Sequence, residues 1–150
     1  MTPPNRIEWL RALIGLEIVL WDRINARLKE HHDLSLAFFE SLYFIGRTPD
    51  GSLRVGDLAR ALRITVGATS KLVDRIDAAG LIRRELDADD RRASRVALTD
   101  AGRQRLADAS TTYTAELAAV LDPTLAADEQ QQLHTLVKRL LAAVENGAAV

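Results

Sequence analysis

Arginine and aspartate side chains are concentrated between two short segments, LIRREL at residues 81–86 and SRVAL at residues 94–98. The two segments are typical of paired β-strands, and the polar residues between them have the composition of a turn. Arginines at the tip of such a hairpin could enter a narrow minor groove of duplex DNA, where the potential is most negative. Arg91 and Arg92 occupy this tip. The alternative is a mixed-charge turn whose aspartates make only local hydrogen bonds.

A second candidate surface lies on the helix predicted over residues 66–79. A short helix is predicted before it, over residues 56–62, and a tight joint at residues 63–65 connects the two. In this joint we expect Ile64 to be buried and Thr65 to cap the second helix, residues 66–79. One side of the second helix is expected to face the core: Ala68, Thr69, Leu72, Val73 and Ile76. The opposite side, called the polar stripe below, consists of Gly67, Ser70, Lys71 and Asp74, with Arg75 at its edge.

This division of faces is what a recognition helix needs, because one side anchors the helix while the other enters the major groove. Lys71 is the long cation of the polar stripe. Asp74 could accept a hydrogen bond from a cytosine amino group, but an ion pair with Arg75, Lys71 or an arginine of the hairpin is the favoured interpretation. The alternative is that the two helices are an ordinary helical hairpin, whose polar face is exposed to solvent and binds no DNA.

Four motifs weigh against that alternative: DLARALRIT at residues 57–65, LVDRIDAAGLI at 72–82, DDRRAS at 89–94 and VALTDAG at 96–102. Together they closely resemble the multiple-antibiotic-resistance regulator (MarR) family, and the resemblance covers nearly the whole chain. It implies a mainly α, winged helix-turn-helix fold of six helices with a small β-hairpin wing. It also implies that Arg92 enters the minor groove of double-stranded DNA and that Asp90 orients Arg92.

Long helices are predicted on both sides of this region, over residues 5–30, 100–121 and 128–145, with a further helix at 34–45 and a break at His31-His32-Asp33. We expect a single domain, residues 1–150, in which residues 34–99 form the DNA-binding lobe. The resemblance implies that residues 5–30 and 100–147 are dimerisation helices. Their apolar faces need a partner surface, and a homodimer would read a pseudo-palindromic operator.

Aromatic and histidine side chains are expected around the joint of the first two helices. The resemblance implies a small, often aromatic and anionic ligand that releases DNA, and the candidate contacts are Trp21, His32, Phe39 and Tyr43. Ordinary core packing is the alternative, and it is favoured for at least one of Phe39 and Tyr43. Adjacent histidines such as His31 and His32 point in different directions and rarely bind one ion, so neither a metal site nor a cofactor is predicted.

Composition narrows the class of protein. The chain has no cysteine, which excludes disulfides, cysteine-ligated zinc and thiol redox sensing. Its formal net charge is −1, but residues 60–105 hold eleven basic and seven acidic side chains, a local balance of +4. No membrane span, nucleophile–base motif or phosphate loop is found, so we expect a cytoplasmic regulator that is not an enzyme. A repressor is favoured; an effector-independent or architectural DNA-binding protein is the alternative.

Overall fold

The computed structural model describes residues 1–147, which form six helices and a three-stranded sheet, and the helices and the hairpin follow the predicted order. The elements are α1 (Arg6–His32), α2 (Leu36–Gly46), β1 (Ser52–Arg54), α3 (Val55–Leu62), α4 (Val66–Ala78), β2 (Ile82–Leu86), β3 (Ser94–Leu98), α5 (Asp100–Leu121) and α6 (Ala127–Gly147). The predicted fold class, a mainly α winged helix-turn-helix protein with six helices, is confirmed. No helix in residues 1–147 is long and apolar enough to cross a membrane.

The first helix ends later than its sequence indicates. We predicted a break at His31-His32-Asp33, but α1 continues through both histidines and ends where Asp33 adopts a left-handed conformation, with φ of 50°. The Asp33 N–H then donates to the carbonyl of Lys29 at 3.1 Å. The second helix begins at Leu36 because the Ser35 hydroxyl accepts the N–H of Phe38 at 3.2 Å, a side-chain cap that satisfies a free helix donor.

The predicted hairpin is present, and it is part of a larger sheet. Strand β3 lies in the centre, with β2 on one side and β1 on the other, and both neighbours are antiparallel to β3. The sequence did not predict β1. A strand of three residues is too short to show alternation, and it exists because Leu53 pairs with Val96, which lies 43 positions later.

The contacts divide the chain into two compact units, the first comprising Met1–Tyr113 and the second beginning at Thr114. The core of the first unit is aliphatic, and its fully buried side chains include Leu28, Leu42, Ile45, Leu58, Ile76 and Val96. This core fixes α2, α3, α4 and the sheet against one another, and these elements carry the candidate site. In the second unit, α6 buries none of its residues.

A junction between β3 and α5 explains part of the VALTDAG motif. The Thr99 N–H donates to the carbonyl of Leu81 at 3.1 Å, and its hydroxyl donates to the carbonyl of Gly80 at 2.7 Å. The same hydroxyl accepts the Gly102 N–H at 3.0 Å, which caps α5 as predicted. Thr99 therefore ties the start of α5 to the turn that follows α4.

Candidate nucleic-acid interface

The joint between α3 and α4 is a tight turn with defined backbone geometry. Arg63 adopts a left-handed conformation, with φ of 58°, and the Ile64 N–H donates to the carbonyl of Ala59 at 3.2 Å. The Thr65 hydroxyl accepts the N–H of Ala68 at 3.1 Å, which caps α4 as the sequence predicts. Ile64, however, is 43% exposed, so our prediction that it would be buried in the joint is wrong. The turn is held by backbone hydrogen bonds instead.

The two faces of α4 divide nearly as predicted. Thr69, Leu72, Val73 and Ile76 are buried, and the Thr69 hydroxyl donates to the carbonyl of Thr65 at 2.8 Å. Ala68 is exposed and does not belong to the buried side, which corrects the prediction. On the polar stripe, Ser70 is partly exposed, while the other three residues are exposed: Gly67, Lys71 and Asp74. The stripe is therefore open to a macromolecular partner.

Arg75, at the predicted edge of the stripe, is held by an aromatic ring. Its guanidinium carbon lies 5.2 Å from the ring centre of Phe38 on α2, within the range of a cation–π interaction. Both residues line a cleft on the α2 side of α4, together with Lys29, Asp33 and Ser35. Arg75 is thus placed away from the middle of the polar stripe.

Asp74 forms a structural ion pair with an arginine of the hairpin. Its carboxylate accepts a hydrogen bond from Arg84 on β2, whose guanidinium also lies 3.6 Å from the carboxylate of Asp77. This arrangement matches the interpretation favoured from the sequence, which named a hairpin arginine among three possible partners. Arg84 consequently links α4 to the hairpin.

The wing tip is organised by a local hydrogen bond. The Asp90 carboxylate accepts the backbone N–H of Arg92 at 3.0 Å, and the Asp90 carbonyl accepts the N–H of Ala93 at the same distance. The side chains of Arg91 and Arg92 are both exposed, and neither makes an ion pair within residues 1–147. Asp90 thus fixes the backbone that carries Arg92.

A basic cleft of about 410 Å³ lies between α3, α4 and the wing. Four arginines from four parts of the chain line it, together with two serines: Arg54, Arg60, Arg84, Arg92, Ser70 and Ser94. One carboxylate, that of Asp57, also lines the cleft and pairs with Arg60. Our site prediction contained only Ser70 and Arg92. Arg54 was missed because β1 was not predicted, whereas Arg60 and Arg84 were counted only in the local positive charge. Such a cleft is suited to phosphate groups.

A buried carboxylate at the base of the wing was also missed. The Asp87 side chain is 2% exposed and accepts hydrogen bonds from Arg54 and Arg95. The Arg54 guanidinium, followed by the backbone N–H of Asp89, holds the pKa of the Asp87 carboxyl well below its usual range. Arg95 extends the network to Asp50 and to the Ser52 hydroxyl, at 3.1 and 2.9 Å. In the sequence this aspartate is indistinguishable from its exposed neighbours.

The candidate ligand residues do not form one cluster. Trp21 and His32 both lie on α1, and eleven residues of helix separate them by about 16 Å along the axis. Phe39 is buried and stacks on Tyr113 and on Tyr43, with ring centres 4.9 and 6.3 Å away, so it belongs to the core. Tyr43 is 41% exposed, and the His32 Nε2 atom lies 2.6 Å from the Thr112 hydroxyl.

The surroundings of Phe39 are unfavourable to an anion. Glu40 is half-buried, and burial raises the pKa of its carboxyl. Burial also raises the pKa of the Tyr113 phenol, with a smaller contribution from the nearby Glu40 charge. No three histidine, aspartate or glutamate side chains in residues 1–147 come together as a metal site.

The sequence and the fold are both similar to those of known DNA-binding regulators. A MarR family model matches residues 32–93. The fold matches AbsC, a MarR family transcriptional regulator from Streptomyces coelicolor, with a TM-score of 0.83 and 22% identity over 97% of both chains.

Two further similar structures were solved with DNA. A mutant of MarR from E. coli, complexed with operator DNA, has a TM-score of 0.78 and 25% identity, and the match covers 94% of this chain and 99% of that one. The S. aureus MepR–DNA complex has a TM-score of 0.72 and 25% identity, with coverage of 93% and 99%. Residues 32–93 thus match the MarR family model, and almost the whole chain shares the winged helix-turn-helix fold of solved MarR family regulators.

Proposed function

We propose that this protein is a sequence-specific DNA-binding transcriptional regulator, a homodimer that binds a pseudo-palindromic operator and represses transcription. The observation that carries the proposal is the basic cleft, because it lies between the exposed polar stripe of α4 and the wing and brings four arginines together. The DNA complexes of the similar MarR and MepR proteins support it. Because a regulator of this kind acts on DNA, we propose that the protein is located in the cytoplasm.

Each part of the site has a proposed role in binding. The N-terminal half of α4 enters the major groove, where Lys71 and Ser70 contact base edges and the Thr65-capped helix end faces a phosphate. Gly67, which has open space beside its Cα, allows close approach of the backbone. The wing places Arg92 in the adjacent minor groove, while Arg91 contacts the phosphate backbone. Asp74 acts through Arg84, and Arg75 supports α4 through Phe38.

Dimerisation is supported by apolar surface that one chain leaves open. On α1, large apolar side chains are 37–76% exposed: Ile7, Trp9, Leu10, Leu13, Ile14, Leu16, Ile18 and Val19. On α6, a second set is 43–69% exposed: Leu133, Leu136, Val137, Leu140, Leu141 and Val144. Single soluble chains rarely leave such continuous apolar faces in water. We therefore propose that residues 5–30 and 100–147 form the dimer interface.

DNA selection tests the central proposal. The purified chain is incubated with random duplex DNA, the retained fraction is amplified over several rounds, and the final pool is sequenced. We expect a pseudo-palindrome whose half-sites are centred about 10 base pairs apart, because a two-fold dimer presents two recognition helices to successive major grooves. Failure to enrich any sequence, combined with no salt-dependent binding to duplex DNA, would remove the proposal.

We also propose that a small aromatic anion releases the operator, with Trp21 and His32 as contacts and Tyr43 exposed for ring stacking. Trp21 and His32 are far apart within one chain. A ligand that contacts both would therefore have to bind Trp21 of one chain and His32 of the other. Titration of tryptophan fluorescence with aromatic acids, in a Trp9→Phe background, tests this idea while operator release is followed in parallel. Unchanged operator affinity with every acid would favour the second candidate, an effector-independent regulator.

A further inference from the structure

The Asp87 carboxylate makes five hydrogen bonds at the base of the wing. Its Oδ1 atom accepts from Arg54 NH2 at 3.1 Å and from the N–H groups of Asp89 and Asp90 at 2.9 and 3.0 Å. Its Oδ2 atom accepts from Arg54 Nε at 2.8 Å and from Arg95 NH1 at 3.2 Å. One buried group thus joins β1, β3 and the wing turn.

Two successive hydrogen bonds connect Asp87 to Arg92. Asp87 holds the N–H of Asp90, and the Asp90 carboxylate in turn accepts the N–H of Arg92 at 3.0 Å. The Asp87 N–H also donates to the carbonyl of Ala93 at 3.4 Å, which closes the turn. The backbone that carries Arg92 is therefore built on the Asp87 side chain.

Arg54 is held by the same carboxylate and lines the same cleft as Arg92. Its bidentate contact with Asp87 uses the Nε and NH2 groups and leaves the NH1 donors. The Arg54 side chain is 41% exposed and lines the basic cleft. A guanidinium fixed in this way loses little further side-chain freedom when it binds a phosphate.

We propose that Asp87 is the positioning residue of the wing, and that it presents Arg92 to the minor groove and Arg54 to the adjoining phosphate backbone. This inference rests on the proposed DNA binding and adds Arg54 as a phosphate contact. Asp87 itself touches no DNA, because it is buried. A carboxylate that served only the stability of the sheet would leave the contribution of Arg92 to DNA binding unchanged.

A double-mutant cycle tests the proposal on the full chain. Binding to the selected duplex is measured by fluorescence anisotropy for the wild type, Arg92→Ala, Asp87→Asn and the double variant. Asp89→Asn is the matched control, because it removes the same charge from the same turn and the Asp89 carboxylate makes no hydrogen bond or ion pair within residues 1–147. Arg54→Ala, measured over a range of salt concentrations, tests the added phosphate contact.

We expect Arg92→Ala to weaken binding about tenfold in the wild type and in the Asp89→Asn background, but less than about twofold in the Asp87→Asn background. Hydrogen exchange should show faster exchange of the Asp89, Asp90 and Arg92 amides in Asp87→Asn. Arg54→Ala should reduce the salt dependence by about one phosphate contact or less. If Asp87→Asn does not fold, Arg54→Lys replaces it in the cycle, since lysine keeps the charge and loses the bidentate geometry.

Equal tenfold losses in every background would overturn the positioning role, and an unchanged salt dependence for Arg54→Ala would overturn the phosphate contact. Neither outcome would affect DNA binding by the wild type. Failure of the wild type to bind any duplex would instead overturn the proposed function, and this inference with it.

Discussion

A Cβ atom placed on Gly102 would lie 2.0 Å from the carbonyl oxygen of Leu81. The obstructing atom belongs to the backbone, and the same carbonyl accepts the Thr99 N–H at 3.1 Å, so it cannot move without breaking the junction. Glycine is therefore required where α5 crosses the end of the turn that follows α4. The need for close approach, and not for an unusual φ angle, explains the last residue of the VALTDAG motif.

Gly102→Ala should destabilise the protein by about 3 kcal/mol, because a methyl group is forced against a fixed carbonyl. The free energy of unfolding is measured by urea denaturation followed by circular dichroism. Gly56→Ala is the matched control, since an added Cβ there meets nothing within 4 Å, and we expect a change of about 1 kcal/mol or less. Equal effects of the two substitutions would contradict the close approach.

Lys71→Ala should reduce discrimination between the selected operator and random DNA, because a base contact in the major groove contributes about 1–3 kcal/mol. Anisotropy titrations with both duplexes measure the ratio of affinities. Lys29→Ala, which removes an exposed cation from α1, is the control and should leave that ratio unchanged. Equal weakening on both duplexes by Lys71→Ala would identify Lys71 as a phosphate contact.

Arg92→Ala should weaken operator binding by about 1–3 kcal/mol and lower the slope of affinity against salt by about one unit or less. Arg91→Ala is the closest comparison, because Arg91 is an exposed neighbour that does not line the basic cleft. We expect a smaller loss for Arg91→Ala. The wing assignment fails if Arg92→Ala binds like the wild type at every salt concentration.

Asp74→Asn should strengthen binding to random DNA about fivefold at low salt, because it removes a negative charge from the polar stripe and releases Arg84 for phosphates. Discrimination in favour of the operator should fall. Asp77→Asn is the control: Asp77 contacts the same guanidinium at 3.6 Å but lies outside the stripe. A loss of operator affinity in Asp74→Asn with no gain on random DNA would indicate a direct base contact by Asp74.

Stability at acidic pH should depend on Asp87. Because Arg54 lowers the pKa of Asp87 in the folded state, this group stabilises the protein at pH values above its unfolded pKa of about 4. That contribution decreases as the pH falls below about 4, because the carboxyl of the unfolded chain becomes protonated first, and it is lost as the pH falls through the lower pKa of the folded state. The urea midpoints of the wild type and Asp87→Asn, compared between pH 7 and pH 3, should therefore differ most at neutral pH. If the two urea midpoints differed by the same amount at every pH, the stabilisation would not come from the ionised Asp87 carboxylate.

The local sequence determines where a helix lies when its apolar residues recur at helical spacing and a side chain caps its first turn. The start of α4 at Thr65, the end of its turn at Gly80 and the hairpin strands all depend on interactions between residues close in the chain, and they were predicted within one or two positions. The polar stripe follows from the same periodicity. The motifs in residues 57–102 carry the resemblance to the MarR family.

Tertiary structure decided the features that depend on distant partners. Strand β1 exists only because β3 pairs with it, and without that pairing Arg54 could not be placed beside the wing. Asp87, Asp89 and Asp90 are chemically alike in the sequence, yet only Asp87 is buried, since Arg54 and Arg95 reach it from the neighbouring strands. The separation of Trp21 from His32 likewise follows from the continuation of α1 through its histidines. Local patterns specify helices and caps, whereas contacts between distant segments determine which charges are buried and which face a ligand.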